Sequence, residues 1–254
     1  MATGQTYGED MPVEECGNMI ILSYAIARAD NNADFAKKHW YSLTLWAEYL
    51  KENGFDPANQ LCTDDFAGHM ARNTHLSVKS IIALKCYSKM AEIIGLKSSS
   101  EQFSSLATEY SKKWVEMAKD GDHYMLAFGK PGTWSQKYNL VWDKLLDLNV
   151  FPKVVINDEV KYYLTKQNKY GLPLDSRETY GKSDWMVWSA TMANDDETFQ
   201  KLFHPVFQYI NETSSRVPVS DWHRTITGEM KGMLARSVVG GYFIKSLDKK
   251  YHEK

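Results

Sequence analysis

At roughly 100–200 residues per domain, 254 residues make one large domain or two small ones, long enough to bury a core without disulfide staples. Hydrophobic residues at 43% and charged residues at 24% exclude collagen-like, disordered and coiled-coil chains. Lys and Arg number 30 against 32 Asp and Glu, a formal net charge of −2, so no basic field exists to hold nucleic acid or an anionic membrane, and the ligand implied is a small molecule.

The polar start Met1-Ala2-Thr3-Gly4-Gln5 lacks the basic and apolar regions of a signal peptide, and no apolar run approaches the roughly 20 residues of a membrane span. Met19 to Ala29 is interrupted only by Ser23 and Arg28, the pattern of a helix apolar nearly all round and therefore buried between layers. Asp30-Asn31-Asn32 then turns the chain into a one-sided helix over 34–52, with Phe35, Leu43, Ala47 and Leu50 at helical spacing between charged residues. Asp30 to Asp34 opens like a calcium loop, but Phe35 and Tyr41 stand where Gly and Glu are required, so it reads as a capped turn. The same alternation continues. Inner helices are expected near 75–94, from Ser135, near 182–193 and near 232–247; outer helices near 98–119, from Pro152 and near 196–211. Successive inner starts are roughly 45–60 residues apart, a repeat of helical hairpins, so the chain is predicted to be all-α and a single domain over 1–254.

Short, cap-rich links join each inner helix to the outer helix after it, whereas the connections before the inner helices are long and rich in Gly, Pro, Asp, Trp and His. Those long connections fall on one rim, the expected functional face. Four clusters lie there. Met11 to Asn18 puts Glu14, Glu15, Cys16 and Asn18 on the first turns of a buried helix, where the carboxylates either cap the helix or are poised for chemistry. Cys16 is there either a nucleophile or a small core residue; all three cysteines, Cys16, Cys62 and Cys86, are expected reduced. Leu61 to His69 brings Asp64 and Asp65 beside His69 and Arg72, adjacent carboxylates that can divide acid and base duty. Asp175 to Trp185 contributes Arg177 and Lys182 as cations, Asp184 as a carboxylate and Trp185 as a stacking face; Val219 to Thr225 contributes Asp221, Trp222 and His223. Neither Gly129-Lys130-Pro131-Gly132 nor Gly240-Gly241 has the spacing of a nucleotide cradle, and the seven histidines form no zinc motif, so no metal or cofactor is implied.

Glu9-Asp10-Met11-Pro12-Val13-Glu14-Glu15-Cys16-Gly17-Asn18, Cys62-Thr63-Asp64-Asp65-Phe66-Ala67-Gly68, Tyr170-Gly171-Leu172-Pro173-Leu174-Asp175-Ser176-Arg177, Lys182-Ser183-Asp184-Trp185 and Arg236-Ser237-Val238-Val239-Gly240-Gly241 run in order over nearly the whole chain. In these stretches the sequence resembles the glutaminase A family, whose helical domain belongs to the six-hairpin glycosidase-like superfamily. The resemblance implies an α/α toroid with ligand bound where the loops before the inner helices converge. About four and a half hairpins can be counted, so the ring is expected to be incomplete and the chain to be the C-terminal part of a longer protein, periplasmic or secreted, with N-terminal domains as partners. The family name implies hydrolysis of the glutamine side-chain amide, with Glu14, Asp64, Asp65 and Asp184 as candidate catalytic groups. Glu15, Asn18, Arg177, Lys182, Trp185, Asp221 and His223 are then the substrate-binding candidates. The superfamily implies glycoside hydrolysis instead, which for inversion sets two carboxyls about 6.5–9.5 Å apart, or carbohydrate binding through the same groups. A ring that starts partway round leaves the first inner helix without a neighbour, so Met19, Ile20, Ile21 and Tyr24 are expected to show an uncovered face and to favour a homodimer.

Overall fold

Helices apolar on all sides can only be satisfied by neighbours on all sides, and the long stretch after Asn73 shows it most plainly. The computed structural model describes residues 10–252, so Met1–Gln5 and Glu9 of the first motif lie outside the described residues. Helices dominate and the only sheets among those residues are two small antiparallel pairs, so the fold class is all-α. By contact the chain divides after Ala118 into two compact units, where the sequence points to one domain.

The first unit contains α1 (Pro12–Asp30), α2 (Asp34–Lys38), α3 (Trp40–Asn53), α4 (Thr74–Ile93) and α5 (Lys97–Ala118). α4 is its centre: it packs against α1, α3 and α5, and most of its residues are buried. Asn73 caps it, accepting from the backbone of His75 at 3.0 Å and Leu76 at 3.2 Å. Tyr87 on α4 stacks on Trp40 at 4.6 Å and meets Phe103 edge-on at 4.6 Å, tying α3 and α5 to it. The expected single helix over 34–52 is broken at His39, which leaves helical geometry without a Pro or Gly to announce the break.

The second unit contains β1 (Lys119–Asp120), β2 (His123–Tyr124), α6 (Val141–Leu145), α7 (Lys153–Lys166), β3 (Tyr180–Lys182), α8 (Ser183–Thr191), α9 (Asp196–Glu212), β4 (Trp222–Arg224) and α10 (Ile244–His252). α8 is the inner element here, packed against α9, α10 and the 3-10 segment Ser237–Phe243. Asp195 caps α9 by accepting from the Thr198 amide at 2.7 Å. The two long connections before α8 and after α9 clasp each other: β3 and β4 pair antiparallel, Tyr180 opposite Arg224 and Lys182 opposite Trp222.

The expected difference in burial holds for α1, α4 and α8 against α3, α5, α7 and α9, but three expectations do not hold in full. The inner helix expected from Ser135 is cut to a 3-10 turn, Tyr138–Leu140, and the five-residue α6. No buried inner helix forms over 232–247. Residues before Ser237 are irregular, Ser237–Phe243 is a 3-10 segment with no buried residue, and α10 starts only at Ile244. Two glycines of this stretch serve close approach to rings: a Cβ on Gly232 would lie 2.4 Å from Trp222, and one on Gly241 2.9 Å from Trp188 Nε1. On α1, Met19 is exposed as expected, but Ile20, Ile21 and Tyr24 are buried, and the exposed apolar stripe continues through Leu22 and Ile26 instead.

Gly54 ends α3 where it meets α4. A Cβ there would fall 1.9 Å from Ser80 Oγ and 2.6 Å from the Leu50 carbonyl. Gly54→Ala is expected to destabilise the first unit by about 1–3 kcal/mol, read as a fall in the urea midpoint.

Candidate functional site

In the first unit, α1 and α4 bring the start of one inner helix against another. Glu14, 3% exposed, is ion-paired with Lys79, itself buried, and accepts from the Thr63 hydroxyl. Lys79 also donates to Asn18 Oδ1 at 2.7 Å. Gly17 makes room for this lysine, since a Cβ at that position would lie 2.7 Å from Lys79 Cγ. Lys79 was not among the sequence candidates; it is the one of the three lysines of α4 that is buried, and a buried lysine must find a partner.

The Asp64 and Asp65 pair is split. Asp64 is buried, whereas Asp65 is exposed on the 3-10 turn Asp65–Ala67 and accepts from the Phe66 amide at 2.8 Å. Arg72 pairs with Asp56 at 3.0 Å instead of serving either carboxylate. Glu15 is exposed, 3.5 Å from the Asn18 amide nitrogen. Cys16 is a free thiol whose pKa is pushed up to about 11, by burial first and then by Glu15, so the helix N-terminus does not make a thiolate of it.

In the second unit, the β3–β4 clasp sets Lys182 and Asp221 beside the first turn of α8. Lys182 Nζ donates to Asp221 Oδ2 at 2.8 Å, and Arg236 Nη1 reaches the same oxygen at 3.3 Å. Ser183 donates its backbone amide at 2.8 Å and its hydroxyl at 3.1 Å to the Asp221 carbonyl, and its hydroxyl lies 2.6 Å from the Tyr242 phenol oxygen. Asp184, 1% exposed, is the group these contacts surround. Its pKa is pushed up to about 7 by burial and then by the charge of Asp221; backbone amides at the start of α8 and Lys182 pull it down but do not win. Asp184 Oδ1 and Asp221 Oδ1 are both buried and accept no hydrogen bond.

The remaining candidates of this unit have other occupations. Arg177 is held by Asp175, with Nη2 at 2.7 Å and Nε at 3.0 Å. Trp185 stacks on Tyr138 at 4.4 Å and meets Trp188 edge-on at 5.0 Å. His223 is fully buried, stacked on Tyr209 at 3.5 Å, with Nε2 2.8 Å from the Tyr170 carbonyl. Burial holds its pKa down to about 4, so it is a neutral ring of the core. Arg236 and Tyr242 join the site although no role was assigned to them; Arg236 lay within the quoted motif. Among the described residues no three His, Cys, Asp or Glu side chains are grouped to hold a metal ion.

A family model described as the glutaminase A six helical-hairpin domain matches residues 1–246. The chain belongs to this family. It is 36% identical over 252 residues to glutaminase A of Aspergillus oryzae, a match covering 95% of this chain and 36% of that protein. To a probable glutaminase of Arthroderma benhamiae it is 28% identical over 331 residues, covering 95% of this chain and 38% of that protein. As a glutaminase A family member the chain therefore spans a little over a third of the length of the curated relatives it matches. The six-hairpin description agrees with the all-α class and with the succession of helices in both units.

Two outcomes follow from the buried charges. Lys79→Met leaves Glu14 buried without its cation and is expected to cost about 3–5 kcal/mol in urea unfolding, most of it recovered when Glu14→Gln is added. Asp184 binds its proton more tightly folded than unfolded, so its contribution to stability is complete below about pH 4 and is lost as pH rises toward 7. Melting temperatures from pH 4 to 8 are expected to show the wild type losing ground steadily to Asp184→Asn.

Proposed function

We propose that this chain carries proton-transfer machinery of a glutaminase-like hydrolase that cleaves a side-chain amide, with Asp184 as the group that passes the proton. The observation that carries this reading is the state of Asp184: a buried carboxyl with an uncommitted oxygen and a pKa of about 7, able to hold or release a proton at neutral pH. Ionised, it takes a proton from the water that attacks the amide carbon. Protonated, it returns that proton to the departing nitrogen, so that ammonia and a carboxylic acid leave, the acid then giving its remaining proton to the ammonia to yield a carboxylate and ammonium. Lys182 and Arg236 hold Asp221 as an ion pair beside it, and that fixed negative charge is part of what keeps Asp184 near neutrality. The kinship with proteins named glutaminase supports the amide as the bond attacked. In the same reading Glu14, Lys79, Asn18 and Thr63 form a rigid polar group at the start of α1.

The half-buried indoles of Trp185, Trp188 and Trp222 around α8 and β4 favour a second reading, a glycoside hydrolase or a carbohydrate-binding domain. One set of assays separates them. Full-length protein containing this chain is expected to release ammonia from L-glutamine and no sugar from a glycan panel. Asp184→Asn is expected to lower kcat by about 100-fold or more and to remove the limb of the pH profile near 7. Sugar release that Asp184→Asn abolishes would replace the amide reading with the glycosidic one, and full ammonia release by Asp184→Asn would remove Asp184 from the chemistry.

A further inference from the structure

An amide substrate that is also an α-amino acid brings a carboxylate, and the two cations first expected to receive it are engaged elsewhere. Arg177 is held on two sides by Asp175, and Lys182 is buried against Asp221. Arg236 differs from both. About a third of its side chain is exposed, and among the described residues its guanidinium makes one hydrogen bond, the 3.3 Å contact from Nη1 to Asp221 Oδ2. Lys182 already neutralises that carboxylate at the shorter distance of 2.8 Å. Around Asp221 two cations share one carboxylate oxygen, and the one held at the longer distance is the one that reaches solvent.

The second observation is the buried, uncommitted Oδ1 of Asp221. An acceptor stripped of water and left without a donor is costly, and a ligand ammonium would satisfy it. One side chain therefore carries a planar cation at one oxygen and an open acceptor at the other. The α-carboxylate and α-ammonium of an amino acid likewise sit on one carbon. Arg236 stands at the start of the 3-10 segment Ser237–Phe243, which has no buried residue and covers Asp184 through Gly241, where a Cβ would come 3.2 Å from Asp184 Cβ.

We propose that Arg236 is the specificity-determining residue for an α-amino acid substrate, binding its α-carboxylate while Asp221 Oδ1 receives its α-ammonium. The assignment rests on the amide-hydrolase reading for the reaction and deepens it by naming the head group that is read. Asp184 is left to the amide end.

The test compares full-length wild type, Arg236→Lys and Arg236→Met on L-glutamine and on 4-aminobutyramide, the same amide without the α-carboxylate. Arg236→Met is expected to lower the preference in kcat/KM for glutamine over 4-aminobutyramide by roughly 10- to 100-fold, through KM for glutamine, with Arg236→Lys in between. Unchanged preference, or an equal loss of kcat on both amides, overturns the assignment. Should Arg236→Met fail to fold, as judged by its melting curve, Arg236→Lys is read by the same criterion. Calorimetric binding of L-glutamate keeps the two readings apart. If wild type releases no ammonia yet binds glutamate, and Arg236→Met or Arg236→Lys binds it at least about 10-fold more weakly, the hydrolase reading fails and Arg236 stands. Ammonia release with wild-type discrimination in the variants does the reverse, and absence of both hydrolysis and glutamate binding overturns the assignment.

Discussion

Taking a charge out of water costs more than any single contact returns, and the interior of this chain is organised around meeting that cost. Glu14 is met by Lys79 and Thr63, Asp221 by Lys182 and Arg236, and Asp143 by the backbone amides of Val150 and Phe151 at 3.0 and 3.1 Å. Lys137, fully buried, donates to the carbonyls of Tyr124 and Ser135 and to the Ser135 hydroxyl. Asp184 departs from the rule. It lies as deep as the others but has no ion pair among the described residues, and it responds by holding its proton to neutral pH. A group that resolves burial by protonation instead of by pairing is one whose proton can be moved.

Clasped loops make this possible. The connections before α8 and after α9 look structureless in sequence, because neither has a run long enough to signal a strand. Three residues on each side suffice to pair β3 with β4, and the pairing places Lys182 and Asp221 side by side although 39 positions separate them. The cost of closing so long a loop is carried by a short ladder, an ion pair, and the Tyr209 and His223 stack behind it.

How much of this was legible in the sequence follows from the range of each interaction. Helix position and burial were readable, because periodicity within ten or twenty residues reports them, and α4 and α8 came out where the apolar runs placed them. The final inner helix does not form: the stretch 232–247, with small residues at Ala235, Ser237, Gly240 and Gly241, reads as a buried helix, but Gly232 and Gly241 are small to accommodate the indoles of Trp222 and Trp188 from elsewhere in the chain. The carboxylates at Glu14, Asp184 and Asp221 stood out by density and position. The partner of Glu14 did not, since Lys79 lies 65 positions away and no local pattern joins them. The adjacency of Asp64 and Asp65 misled for a related reason: neighbours on a 3-10 turn point into different surroundings, one buried and one in water.

The thiols of the first unit have a practical side. Burial and the negative charge of nearby carboxylates push both Cys16 and Cys62 upward, Cys62 beyond the ordinary thiol range altogether. Alkylating reagents and peroxide attack thiolates, so at neutral pH each of these sulfurs presents a nearly unreactive form. The appearance of reactive sulfur at Cys16 or Cys62 would then report that the first unit has opened.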